Sequence, residues 1–447
     1  MTQPTVVQIL AEIAITGRAT PLTGEVAAAA ERAVIDWLGA ALGGSLETPA
    51  RALIQGLTPL SGPSRLLGDH QTAPAPIAAL VNGTAAHTLE LDDIYAAGLF
   101  HPGAPVIAAA LAVADLAGAN GEAFLRAVVT GYEVGCRVAE DLGPKHYAHW
   151  HTTGTAGSLA AAAAAAELLG SGPEAFASAL ALAATMAGGV QQTFRCGAMG
   201  KPLHAGHAAL AGVIAAVAAH DGVTGAPDVL EAEAGLGWAT GAPSEWAHSR
   251  ATAGPRPAIT MVTVKPYPCC GHAFAVIDGV FQLRDRGLNA ADVRRIDVHT
   301  YRTALEVAGI ADPRTSPERK FSIPYLAAAA LLAGGVGDTN ADIDMAELRR
   351  LMATVQLHPD PGYEAAFPAR RGARVTVTTQ AGPTLTAEVP DRSGSPENPL
   401  SDGQVEQKFL TVSAPAVDER GPEILRQVRQ LRDGGTVAGL PISPGAR

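Results

Sequence analysis

Seven consecutive alanines, Ala160 to Ala166, follow Leu159, and alanine recurs through the apolar stretches of the first 250 residues. Alanine is the best helix former and adds one methyl to a helix surface, so alanine-rich helices can lie with their backbones close together. The chain is 47% hydrophobic but only 4% aromatic. Its core must therefore be made by closely spaced helices rather than by rings. The sequence predicts a mainly α protein: a large all-helical domain with an inserted smaller α+β lid domain.

The helical pattern runs from about residue 5 to residue 250. Ala27 to Leu42 carries Val34, Ile35, Leu38 and Leu42 at helical spacing and stops at Gly43-Gly44. Asn120-Gly121-Glu122 and Ser171-Gly172-Pro173-Glu174 each open a helix, and Ala208 to Ala219 forms another. Gly254-Pro255-Arg256-Pro257 reads as a linker. Beyond it Ile259 to Val264 and Arg295 to Thr300 look like strands, and Ala373 to Thr379 with Thr384 to Val389 look like a hairpin around Gln380-Ala-Gly-Pro383. Helices are expected at Ser322 to Leu332 and Met345 to Thr354, then at Gly403 to Leu410 and Pro422 to Arg432. The expected domains are 1–254 with 393–447 (helical) and 255–392 (α+β lid).

Composition narrows the function. With 43 acidic against 32 basic residues the formal net charge is -11, and no basic run interleaved with aromatics occurs, so nucleic acid is not an expected partner. Four cysteines in 447 residues make no disulfide framework; Cys136 and Cys196 read as core residues. The N-terminus has no basic segment with a cleavage site, and the most apolar stretches, Leu159 to Ala166 and Val106 to Ala114, fall short of the roughly 20 residues a bilayer span needs. A cytoplasmic protein away from membranes is expected.

Five clusters of ionisable residues interrupt this apolar background. The first is Asn82-Gly-Thr-Ala-Ala-His87-Thr-Leu-Glu90-Leu-Asp92-Asp93-Ile94-Tyr95, with His101-Pro102 soon after. Burying carboxylates costs several kcal/mol unless each is paired, so such a cluster beside Ala, Leu and Ile marks a site rather than a core face. The other reading is a helix cap and a solvated turn. The second cluster is Lys145-His146-Tyr147-Ala148-His149-Trp150-His151-Thr152-Thr153-Gly154, where His151 at a helix N-terminus would stay neutral and act as a base. The third, Lys201-Pro202-Leu203-His204-Ala205-Gly206-His207, opens a helix with a lysine placed to hold a carboxylate. The fourth is Lys265-Pro-Tyr-Pro-Cys269-Cys270-Gly-His272, and the fifth Lys320-Phe-Ser322-Ile-Pro324-Tyr325. Taken singly, the last three also fit ordinary helix-end and turn chemistry. His149-x-His151, His204/His207 and Cys269-Cys270-x-His272 contain metal-ligand types, but none has a well-attested ligand spacing.

In this order the clusters resemble the MmgE/PrpD family, which includes 2-methylcitrate dehydratase, cis-aconitate decarboxylase and iminodisuccinate epimerase. The resemblance implies a homodimer that works without cofactor or metal on a small polycarboxylate. It implies pocket histidines at His101 and His151, lysines at Lys201 and Lys265, and a tyrosine at Tyr325. The family often reads Asp-Phe-Asp-Asp followed by Thr or Ser; here the run is Glu90-Leu91-Asp92-Asp93-Ile94, without that hydroxyl. A pocket histidine of the decarboxylase appears as Cys270, with His272 two places on.

The expected chemistry removes a proton next to a carboxylate. His151 or Tyr147 would be the base and His101 the acid. Lys201 and Lys265 would clamp carboxylates, and Asp92 and Asp93 would orient the imidazoles. Glu90, His204, Cys270 and His272 are expected to line the substrate site, with Asp93 and Tyr325 close to the reacting atoms. The expected function is that of a hydro-lyase resembling 2-methylcitrate dehydratase. The alternatives are an amino-dicarboxylate epimerase, a cis-aconitate decarboxylase-like lyase, and a non-catalytic helical dimer that binds a carboxylate.

Overall fold

The computed structural model describes residues 3–22, 24–57, 61–194, 198–243, 245–251, 256–336 and 344–443. Cys196 and the Gly254-Pro255 part of the expected linker lie outside these residues. The fold is mainly α. The chain forms two compact units, Met1–Val264 with Ser401–Arg447, and Lys265–Leu400.

The large unit contains helices α1 (Gly24–Gly44), α2 (Ala75–Ala86), α3 (Gly103–Ala117), α4 (Gly121–Tyr147), α5 (Thr152–Leu168), α6 (Pro173–Met186) and α7 (Lys201–His220). Their starts follow local chemistry. The Asn120 side chain accepts from Ala123 N at 2.9 Å to cap α4, and Pro173 opens α6 where no backbone donor is needed. Helix α4 is broken at Gly143 (φ 63°), and Pro144 begins its last turn.

The polyalanine helix α5 packs against α4, α3 and α7, and α7 packs in turn on α2. All of Ala160 to Ala166 is buried. Helices α2 and α7 approach closely: a Cβ on Gly83 would stand 3.1 Å from the Cα of Gly206, and one on Gly206 would stand 2.3 Å from the carbonyl oxygen of Leu80. Only two glycines let these backbones touch. Helix α7 corrects the expectation that every apolar stretch is too short to span a bilayer. Its 20 residues are long and apolar enough by composition, and 61% of its most apolar window is buried within the protein.

In the small unit, helix α8 (Phe274–Asp285) is followed by strand β1 (Val293–Thr300), helices α9 (Ile323–Ala333) and α10 (Met345–Thr354), and strands β2 (Val355–Pro359), β3 (Ala373–Thr379) and β4 (Thr384–Val389). The sheet order is β2-β1-β3-β4; β1 runs parallel to β2 and antiparallel to β3, with Ile296 opposite both Val355 and Val377. The alternation predicted for these strands puts Val293, Ile296, Val298, Val375 and Val377 on the inner face, in one core with Phe274, Ile277 and Val280 of α8. Strand β2 follows α10 with no turn between them, which is why the sequence shows it poorly. Ile259 to Val264 is not a strand: Ala258–Met261 makes a 3-10 turn, and Thr263 then pairs with Ile94 by two backbone hydrogen bonds of 2.9 and 2.8 Å. The chain re-enters the large unit as α11 (Asp402–Val417), which packs on α1.

Candidate active site

The first cluster is not helical where its carboxylates lie. Helix α2 ends at Ala86, His87 caps it, and Glu90, Asp92 and Asp93 sit in the irregular segment that follows. Glu90 takes φ 61°, a left-handed conformation that a residue with a Cβ adopts at a cost of about 1 kcal/mol or more. The segment is pinned at two points. Ile94 pairs with Thr263, and Lys408 of α11 reaches both Asp36 Oδ1 of α1 (2.5 Å) and the carbonyl oxygen of Leu91 (2.8 Å).

Asp92 is buried between two imidazoles. Its Oδ2 is 2.6 Å from His87 Nδ1 and 3.3 Å from His101 Nδ1. The backbone carbonyl of Asp93 is 2.8 Å from the same His101 nitrogen. A carbonyl only accepts, so His101 Nδ1 carries a proton and donates it. The Asp93 side chain corrects the sequence expectation, because its carboxylate does not face an imidazole. Oδ1 accepts from Gly103 N (2.9 Å) at the start of α3, and Oδ2 accepts from the hydroxyl of the fully buried Tyr132 (2.6 Å). Burial pushes this carboxyl up to about 7, against the pull of those two donors. Asp93 thus ties His101 to α3 and α4.

His151 is the residue just before α5, with extended backbone angles and its N–H donating to Gly189 O at 2.8 Å. Gly189 has φ 120°, and a Cβ there would meet the His204 ring at 3.0 Å, so glycine is required for the loop to pass this close. His151 Nδ1 is 3.2 Å from His204 Nδ1, its ring stacks on His87 at 5.4 Å, and its centroid is 6.4 Å from that of His101. Burial first, then His87, Lys201, His101 and His204, hold His151 well below its usual value, so the ring is neutral. Burial also lowers His204 to about 4. Four imidazoles and two carboxylates from α2, the following loop, α5 and α7 thus share one buried cluster.

Lys201 begins α7 and pairs with Glu90. The sequence predicted a lysine that holds a substrate carboxylate; here the ammonium already has a carboxylate of the chain itself beside it. Tyr147 ends α4 and is half-buried. Four of the predicted residues belong to the small unit. Lys265 is buried, and Cys270 N donates to Lys320 O at 2.9 Å. His272 Nδ1 lies 2.7 Å from the Tyr301 hydroxyl. Tyr325, in the first turn of α9, has the Arg319 guanidinium 5.7 Å above its ring. Sequence reasoning did not single out His87, Tyr132 or Lys408. His87 stood inside the first motif, but the other two meet their partners only through the fold.

One ring nitrogen each of His87 and His101 and an oxygen of Asp92 are near enough to one another, within 4.8 Å, to hold a metal ion. However, His87 Nδ1 and Asp92 Oδ2 already bond each other at hydrogen-bond distance, which accounts for the group without an ion.

Residues 8–248 match the MmgE/PrpD N-terminal domain, and residues 267–432 match the MmgE/PrpD C-terminal domain. The chain belongs to the MmgE/PrpD family. Among characterised relatives it is 28% identical over 398 residues to the cis-aconitate decarboxylase-like protein oryM of Aspergillus oryzae, covering 81% of each chain. It is 28% identical over 390 residues to the cis-aconitate decarboxylase of Homo sapiens, covering 80% of this chain and 77% of that one. The cis-aconitate decarboxylase of Aspergillus terreus is 23% identical over 386 residues. In this MmgE/PrpD chain the carboxylate-rich run and the two helix-opening histidine and lysine motifs fall inside the N-terminal match, and Lys320 and Tyr325 inside the C-terminal one.

Proposed function

We propose that this chain is a lyase that removes the proton beside a carboxylate of a small di- or tricarboxylate, in the manner of a 2-methylcitrate dehydratase. The observation that carries the reading is the neutral, buried His151 held within 6.4 Å of His101, with the Lys201 cation on the neighbouring helix α7. A carbon acid beside a carboxylate is very weak. Its deprotonation needs a base with an available lone pair and cations where negative charge gathers on the carboxylate oxygens.

In the proposed step an imidazole nitrogen of His151 takes the proton from carbon. The electron pair moves into the carboxylate, giving an enediolate that Lys201 stabilises. His101 enters the step as an imidazolium, keeps its Nδ1 proton on the Asp93 carbonyl and gives its Nε2 proton to the hydroxyl leaving from the adjacent carbon, and that hydroxyl departs as water as the new double bond forms. Asp92 and the Asp93 carbonyl keep His101 aimed. Glu90 holds Lys201 until a substrate carboxylate replaces it.

Decarboxylation is the second reading, favoured by likeness to cis-aconitate decarboxylases across about four-fifths of the chain. One experiment separates the readings: incubate the protein in deuterated water with 2-methylcitrate, cis-aconitate or an amino-dicarboxylate, and follow the acids by NMR. Loss of water supports dehydration, and loss of carbon dioxide supports decarboxylation. Deuterium in an otherwise unchanged skeleton supports epimerisation. No exchange with any of the acids would leave a carboxylate-binding protein and defeat the lyase reading.

A further inference from the structure

The small unit buries two guanidinium groups near one another, and one of them has no ion pair among the described residues. Arg371 is 9% exposed, and its Nε is buried without a hydrogen-bond partner. Among the described residues its guanidinium has no ion pair either, and it lies over the Phe367 ring, 5.7 Å from the centroid. Phe367 stacks on Tyr301 with centroids 4.5 Å apart, and the Tyr301 hydroxyl meets His272 Nδ1 at 2.7 Å. The carbonyl of the adjacent Gly271 accepts from Nη1 of Arg392 at 2.8 Å, and Arg392 lies over Phe274. Arg371, Phe367, Tyr301, His272 and Arg392 therefore form a continuous chain of contacts within one unit.

The Asp278 and Glu397 carboxylates act on Arg392, so the shortage of acceptors is at Arg371. A guanidinium has five N–H donors in a planar fork and no acceptor, and it does not deprotonate in proteins. Arg392 is 2% exposed, and burial, followed by the neighbouring Arg371, lowers it to about 10. Burial and the two arginines lower His272 to about 3, so the ring is neutral. In the hydrogen bond between a neutral imidazole and a phenol one group donates, and the other is left with a donor of its own to place. An uncompensated buried charge costs several kcal/mol, and a fold keeps one where an anion binds. The planar fork matches the two oxygens of a carboxylate.

We propose that Arg371, together with Arg392 and the His272–Tyr301 pair, forms an anion site in the small unit that takes a carboxylate of a small organic acid. The site holds whether or not the chain is a lyase, because neither Arg371 nor Arg392 has a part in the proposed reaction.

The test uses citrate as probe, on the full chain, by titration calorimetry at constant ionic strength. Phosphate and chloride are titrated in parallel. K201M serves as background, so that the lysine of the large unit does not dominate the signal. Adding R371M is expected to weaken citrate binding at least tenfold, the value of one charge-assisted contact. R371M alone is expected to melt no lower than wild type without ligand, since it removes a buried charge with no partner. R371K covers the case in which Met disturbs folding: it is expected to melt like wild type and bind citrate more weakly. Unchanged citrate affinity in both Arg371 variants would overturn the site. Tighter binding of phosphate than of citrate would overturn the carboxylate assignment. Turnover of K201M reports separately on the proposed reaction, so either idea can fail alone.

Discussion

The Nδ1 atoms of His151 and His204 face each other at 3.2 Å, and both rings are held neutral, so one hydrogen is shared between two nitrogens. When His204 accepts, His151 carries its proton on Nδ1 and presents a bare Nε2, the form a base needs. His204 is thus a positioning residue for the tautomer of His151. H204F, which keeps a ring but no nitrogen, is expected to lower kcat by about tenfold to a hundredfold with little change in KM, the usual effect of losing such an orienting partner. H204N should recover part of the loss. Wild-type kcat in H204F would remove His204 from the site.

Loss of the proposed base should cost more. H151Q keeps size and polarity but cannot transfer the proton, which typically contributes about 10² to 10⁴ in rate. A fall in kcat of that order is expected with little change in melting temperature. The acid-side decline of the wild-type rate should vanish in H151Q. If H151Q turns over normally and Y147F does not, the base is Tyr147.

Lys201 and Glu90 form a pair that substrate opens in the proposed reaction. K201M should weaken substrate binding by about 1.5–3 kcal/mol, read as a rise in KM, because a charge-assisted hydrogen bond is lost. E90Q leaves the ammonium without its carboxylate and should bind substrate more tightly. Unchanged kinetics in K201M would rule out the carboxylate clamp.

Stability should fall on acidification. His146 and His204 are lowered to about 4 and His272 to about 3, each chiefly by burial, while an unfolded histidine titrates near 6.5. Below about pH 6.5 the unfolded chain takes up protons that these folded rings refuse, so the unfolded state gains down to about pH 4. Asp93 acts in the opposite direction: raised to about 7, its contribution is present at low pH and is lost as pH rises through 7. Three histidines outweigh one carboxyl, so the melting temperature should be lower near pH 5 than near pH 7. An equal or higher value at pH 5 would contradict this balance.

Prolonged EDTA treatment should leave activity intact, because His87 and Asp92 already satisfy each other by a hydrogen bond. One tightly bound ion per chain by elemental analysis would reverse this and make His87, Asp92 and His101 ligands.

Local chemistry made much of the fold readable. The Asn120 cap, Pro173 at a first helical turn and the alternation of Arg295 to Thr300 each specify their element within a few residues. Strand β2 was hidden because its parallel pairing with β1 depends on residues some sixty positions away. The site divided the same way. His101, His151 and Lys201 stand in compact motifs, whereas Tyr132 reaches Asp93 across 39 positions and Lys408 reaches Asp36 across 372. The Asp93 side chain was misplaced for the same reason: two adjacent aspartates look equivalent until the start of α3 and the Tyr132 hydroxyl claim one of them.

The crossing of α2 and α7 at Gly83 and Gly206 sets a fixed length inside the site. His87 caps one of these helices and Lys201 begins the other, so two absent methyl groups gauge the gap between an imidazole and an ammonium. A side chain on either glycine would act as a wedge, shifting both groups at once while touching neither. A substitution at this crossing would change the reach between His87 and Lys201 without altering either group.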